Sequence, residues 1–262
     1  MKKILSIFVS DGEETSIYKK VFNMAFLFLI FYLFYRFTLD GYTMKWETLI
    51  PYIGKIFDGY KMTLIITFFA MIVSVILGSL LTFFNSSKLL ILQYLSKSYV
   101  EIIRGTPFLV QIIFFFYIIT PAFGIENRYF IGILILAIFS SAYVSEIIRA
   151  GIESIEESQH ETARAVGFTT FQKYRYVIFP QVFKRILPSL TGQLSSLVKD
   201  SSLLSVIAVS EFTLKIQEIT AINFRTYENY IILAVGYLLI TFPISIISRK
   251  LERKFSYETQ NK

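Results

Sequence analysis

Six ionisable residues stand in or beside apolar stretches of this chain, and they come in close pairs: Glu101 with Arg104, Glu146 with Arg149, and the adjacent Lys199 and Asp200. Members of the first two pairs are three residues apart, so on a helix each pair shares a face and can form an ion pair. Lys199 and Asp200 sit where small hydroxyl residues, Ser195 and Ser202 among them, recur at helical spacing. Charges in apolar surroundings are tolerated only when paired or hydrogen-bonded. Two roles fit such residues. They either hold a charged solute, whose own charges need opposite partners, or they brace and gate helices against one another. The pattern leaves both open. Other chemistry lacks its reagents. With no cysteine there is no disulfide, thiol catalysis or Cys-ligated metal. The single histidine, His160, completes neither a metal cluster nor a Ser-His-Asp arrangement, so no catalytic residue and no metal ligand is assigned. No G-x-x-x-x-G-K-[ST] loop occurs to cradle nucleotide phosphates, so any ATP is hydrolysed elsewhere.

The elements that must position these residues are set by hydropathy. The 262 residues are 54% hydrophobic, with several uncharged runs near twenty residues long. Such runs match a hydrocarbon layer about 30 Å thick, in which only a helix satisfies every backbone group within its own segment. The expected fold is all-α and membrane-spanning, with spans at 21–37, 62–84, about 107–120, 129–149, 186–210 and 230–248. The first lacks a small-residue cleavage site and reads as a retained helix rather than a signal peptide. Residues 38–60, with Trp46, Pro51 and Gly54, read as interfacial, and 211–228 as a polar outer loop. Pro107 is tolerable at a helix start, where its missing amide costs little.

The 186–210 span is the least apolar. Thr191, Ser195, Lys199, Ser202 and Ser205 form one polar stripe, Gln193, Ser196 and Asp200 a second row, and Leu190, Leu194, Leu197, Leu204 and Ala208 an apolar one. Each charge in a membrane helix costs at least about 2.5–3.5 kcal/mol on insertion scales. Lys199 and Asp200 therefore face a cavity, a partner helix or each other.

The net charge of +7 follows the spans. With the amino terminus inside, Lys and Arg number four in the first tail, two at 85–98, six at 149–185 and five at the end, against seven in outer segments. This asymmetry puts both termini and 149–185 in the cytoplasm. It also argues against a nucleic-acid groove, since the basic residues track topology.

The cytoplasmic segment Ser158–Pro180 reads as two short helices. Ser158 with Glu161 matches a capping box, Gly167 supplies a left-handed stop, Thr169 with Gln172 repeats the box, and Pro180 is expected to break the second helix by forcing Phe179 extended. The first helix, about eight residues and about 12 Å long, must dock on something. Glu161, Ala163, Gly167 and Pro180 fall on the EAA loop pattern, with Thr162, Val177 and Phe179 as departures. The segment thus resembles the signature of membrane subunits of binding-protein-dependent ATP-binding-cassette importers. Three further blocks resemble the polar amino-acid branch: Glu101 to Gln111 (E-x-x-R-G-T-P-x-x-x-Q), Ala142 to Ile152 (A-Y-x-x-E-x-x-R-x-G-I), and Lys199 to Leu203 (K-D-S-S-L for K-D-T-S-L).

The resemblance implies a type I permease core of five helices over 59–248, with the EAA loop at 158–180. An extra transmembrane helix and interfacial segment at 21–58 precede it, and cytoplasmic tails lie at 1–20 and 249–262. It further implies ATPase coupling through Ser158, Glu161, Ala163, Gly167 and Pro180. Glu101, Arg104, Glu146, Ser195, Lys199, Asp200 and Ser202 become candidates for the substrate path or its gate. The implied partners are an ATPase dimer using ATP and Mg, a second permease chain, identical or paralogous, and an extracytoplasmic amino-acid-binding protein. The implied location is the bacterial cytoplasmic membrane, and this chain itself binds no cofactor. The competing readings are a permease for another small solute, an ATP-independent secondary transporter, and, for the hairpin alone, an amphipathic connector on the membrane surface.

Overall fold

The computed structural model describes residues 16–260, side chains of 256–260 excepted, so most of the expected amino-terminal tail lies outside the described residues. Every regular element among them is helical. The chain divides into two units, 1–45 and 46–262. The first holds α1 (Ile17–Leu39), whose 23 residues bury none of their side chains. At 1.5 Å per residue that length spans an apolar layer, and an apolar surface all round suits lipid.

In the second unit, a 3-10 turn (Trp46–Tyr52) leads into α2 (Ile53–Asn85). Then come α3 (Leu90–Gly105), α4 (Phe108–Phe114), a π turn (Phe115–Ile119) and α5 (Thr120–Ala122). The next helices are α6 (Arg128–Glu153), α7 (Glu157–Ala165) and α8 (Thr170–Gln172). A π turn (Lys173–Ile178) runs into α9 (Phe179–Asp200) and a 3-10 turn (Ser201–Ile207), followed by α10 (Phe212–Asn223) and α11 (Thr226–Gln260). Four helices are long and apolar enough to cross a membrane, namely α1, α2 with its leading turn, α6 and α11. The bent pair of Leu90–Gly105 and Phe108–Ala122 makes five. The polar α9 is not among them.

The most extensive pairing is α2 against α6. The side of α2 that is buried carries small or hydroxyl residues, including Gly59, Thr63, Ala70, Ser74, Gly78 and Thr82. Small side chains let backbones approach, and the hydroxyls find carbonyls: Thr82 donates to Gly78 at 2.9 Å and across the interface to Ser145 at 3.1 Å. The main core joins this pair to α4 and α9 through Ile66, Ala70, Phe108, Ile112, Ile135, Leu136, Leu197 and Leu204.

Two expectations about element boundaries fail. Residues 211–228 contain a helix, because Phe212, Ile216 and Ile219 repeat at helical spacing and bury one face of α10. Pro180 does not break the helix: Phe179 is helical (φ −56°, ψ −42°) and α9 continues. The π turn before it widens the helix where the proline lacks its amide donor, so the ring is accommodated instead of ending the segment.

Candidate functional site

The Glu101–Gln111 block is a helix pair sharply bent at its middle. α3 and the helix from Phe108 meet at 110°, with Gly105, Thr106 and Pro107 between them. A break in a helix leaves carbonyls without partners. Gln111 supplies them: its buried amide donates to the carbonyls of Ile103 at 2.7 Å and Thr106 at 3.1 Å, while the Thr106 hydroxyl donates to Ile102 at 2.8 Å. The break thus holds Arg104, in the last turn of α3, against α6.

There Arg104 pairs with Glu146 at 3.4 Å and lies 5.6 Å from the centre of the Tyr143 ring. Glu146 also receives a forked pair from Arg149, at 3.1 and 2.9 Å, and Arg149 reaches Glu153 at 2.6 Å. The pair predicted between Glu146 and Arg149 is present. The one predicted between Glu101 and Arg104 is not found among the described residues, because the bend turns Arg104 toward α6, where Glu146 gives it a nearer counter-charge. All of these side chains keep substantial exposure. They border two cavities. One, about 690 Å³, lies between α6 and α9 and is lined by Arg104, Tyr143, Glu146, Arg149, Arg185 and Gln193 among others. The other, about 240 Å³, lies toward α2 and includes Asn85, Lys97 and Glu101. Gln193 extends from α9 to the Ser140 hydroxyl at 3.1 Å, tying the polar row of α9 to α6.

Below this cluster stands the hairpin. α7 ends in a Schellman motif: Gly167 (φ +82°) donates to Arg164 at 2.9 Å and Phe168 to Ala163 at 3.0 Å. α8 opens with the predicted reciprocal box, Gln172 amide to Thr169 hydroxyl at 3.3 Å and Thr169 amide to Gln172 side chain at 2.9 Å. The first predicted box fails. α7 begins at Glu157 with Glu156 as its cap residue, so Ser158 lies inside the first turn and donates to the Glu156 carboxylate at 3.2 Å. Ala163 is the buried residue of α7, while Glu161 and Pro180 stay exposed beside the exposed apolar side chains Val166, Phe171 and Tyr176.

The hairpin is joined firmly to the cavity walls. Ile155, Ile178, Val182 and Ile186 pack with Ile147, Ile148 and Ile152 of α6. Gln181 donates to Gln159 at 3.2 Å, and the Arg185 guanidinium donates to the Ser154 carbonyl. At the crossing, a Cβ on Gly151 would come within 2.2 Å of Ile186, so α6 and α9 touch backbone to side chain.

Residues 74–257 match the family described as binding-protein-dependent transport system inner membrane component. The chain is 36% identical over 211 residues to the glutamine transport system permease protein GlnP of Escherichia coli (strain K12), covering 80% of this chain and 96% of that protein. The chain belongs to this permease family. Within it, the glutamate/aspartate import permease protein GltK of Escherichia coli O6:H1 is 30% identical over 223 residues, covering 81% and 99%. A crystal structure of an amino acid ABC transporter with histidines superimposes with a TM-score of 0.75 at 36% identity, over 81% of this chain and 99% of that one. The protein is thus a permease subunit of an ABC importer in the polar amino-acid branch, a translocating component and not the ATPase, and a multi-pass protein of the bacterial inner membrane.

Within the permease, the predicted residues separate. Arg104 and Glu146 meet at the cavity and Glu101 lines the smaller one. Lys199 and Asp200 line neither cavity and share no ion pair among the described residues. Ser195 is buried, and Ser202 donates to the Lys199 carbonyl at 2.7 Å. Sequence reasoning gave no site role to Tyr143, Arg185 or Gln193. The signal for Gln193 was its place in the second polar row; Arg185, in an ordinary Lys-Arg pair, offered none.

Proposed function

We propose that this permease pairs with a second permease chain and carries a zwitterionic polar amino acid of the glutamine class through the α6/α9 cavity. An ATPase dimer, using ATP and Mg, docks on α7 and α8, and an extracytoplasmic binding protein delivers the substrate. Both termini lie in the cytoplasm. The observation that carries this reading is the mixed charge of the cavity wall, where Arg104, Arg149 and Arg185 stand near Glu146 and Gln193. Such a wall offers cations to an α-carboxylate, a carboxylate to an α-ammonium, and an amide to a polar side chain. The relatives named for glutamine and for glutamate/aspartate transport support the class. The hairpin supports coupling: Glu161, Ala163, Gly167 and Pro180 lie on a capped knuckle fixed by Gln181 and Arg185 to the helix that lines the cavity. Closure of the ATPases would move it as one piece with α9.

The test is the purified complex of permease, ATPase and binding protein in vesicles. Glutamine is expected to stimulate ATP hydrolysis and uptake together. Gly167→Pro, which cannot adopt a positive φ, and Glu161→Ala are expected to lose ATPase co-purification or to hydrolyse without transport. Normal assembly and uptake in both variants would overturn the coupling role.

A further inference from the structure

We propose that Phe224, at the corner between α10 and α11, is the anchor on which the extracytoplasmic binding protein docks. This rests on the outward placement of that corner in the topology proposed above. α10 packs on the entry turns of α2, where a Cβ on Gly59 would meet Lys215 at 2.9 Å. That is the end opposite the hairpin.

The corner is strained and stiff. Phe224 takes a left-handed backbone (φ 54°, ψ 27°), an outlier for a bulky side chain, whereas Gly or Asn would make the same turn with little cost. The turn is over-determined from beneath. The side-chain amide of Asn229, fully buried, donates to Thr220 at 2.9 Å and to the Asn223 side chain at 2.8 Å, and the Asn223 oxygen accepts from the Arg225 amide at 3.0 Å. All this holds up a ring that is 83% exposed and stacks on no other ring among the described residues. Exposed Ile222 and Tyr227 flank it.

Strain kept at a surface position points to use rather than stability. A lipid interface gives aromatic residues a home, but it does not require a fixed backbone that costs energy. A protein partner does gain from one: an aromatic anchor held in its bound geometry loses little freedom on docking, and such anchors carry most of an interface's affinity. The occupant that fits is the binding protein of the system, presenting an apolar pocket to the ring.

The chain contains no cysteine, so Phe224→Cys carries this chain's sole thiol. In the complete complex in vesicles, a membrane-impermeant maleimide is expected to label it from outside, and a photo-activated cross-linker there is expected to capture the purified binding protein. Phe224→Asn, which suits the left-handed backbone, is expected to raise the binding-protein concentration for half-maximal stimulation of ATP hydrolysis about tenfold or more. Unchanged half-maximal concentration, or cross-links to lipid alone from an outward thiol, would overturn the docking role and leave the topology standing. Labelling only from the cytoplasmic side would overturn both.

Discussion

Two glutamates at opposite ends of the permease are held in opposite ways. Glu146 is half-exposed, faces cavities and is gripped by Arg104 and Arg149. Glu211 is fully buried and held by neutral groups: it caps α10 by accepting from the Leu214 amide at 3.0 Å, and accepts from the hydroxyls of Thr63 at 3.2 Å and Tyr237 at 2.9 Å. Thr63, Tyr237 and Leu214 lie on α2, α11 and α10, so one carboxylate fastens three elements. The contrast teaches that a buried charge saturated by fixed donors is architecture. A partly exposed one, paired with arginines at a cavity wall, keeps a surface that a solute could reach.

The sharpest way to break that comparison is to remove Glu211. Glu211→Leu takes the acceptor from the Leu214 amide, which costs about 1–3 kcal/mol when left unpaired, and one hydrogen bond of about 0.5–1.5 kcal/mol from each hydroxyl, Thr63 keeping the Phe212 amide and Tyr237 the Thr213 hydroxyl. A loss of about 3 kcal/mol or more is expected, read as a drop in the melting temperature of the purified complex and in membrane yield. Wild-type melting would mean that the network holds nothing together.

Next in size is Gly151→Val, which drives a side chain into Ile186 at the α6/α9 crossing. Overpacking of this kind costs about 1–3 kcal/mol. Because the crossing joins hairpin to cavity, transport should fall more than ATPase binding does. Equal losses in co-purification and uptake would show that the crossing only stabilises.

These two sites differ in how far the sequence reveals them. The positions of α1, α2, α6 and α11 follow from hydropathy because lipid demands long apolar helices, while the span expected at 186–210 is too polar to count among them; Thr169, Gln172 and Gly167 were legible because caps are local chemistry. Pro180 misled: its effect depends on a π turn that no local rule signals. The polar composition of 211–228 hid a helix whose apolar side is three residues, Phe212, Ile216 and Ile219. Glu211 looked like a loop carboxylate, since its partners Thr63 and Tyr237 are 148 and 26 residues away. Arg104 stood out as a charge beside an apolar stretch, but its partner did not, because a bend of 110° decides which carboxylate it meets.

The finest test sets Glu146 against Lys199, two charges that the sequence ranked alike. Glu146→Gln keeps the shape of the side chain and removes the charge that balances Arg104 and Arg149. Ion pairs this exposed contribute about 0–1 kcal/mol to stability, so folding should hardly change while uptake falls about tenfold or more. Lys199 is exposed, lines neither cavity and makes no ion pair among the described residues. Lys199→Ala is therefore expected to change stability by no more than about 0.5 kcal/mol, with the apparent affinity for glutamine unaltered and its uptake rate less than halved. If the ranking reverses, with Lys199→Ala abolishing uptake and Glu146→Gln sparing it, the solute must pass along the polar stripe of α9, and the arginines around Glu146 are bracing after all.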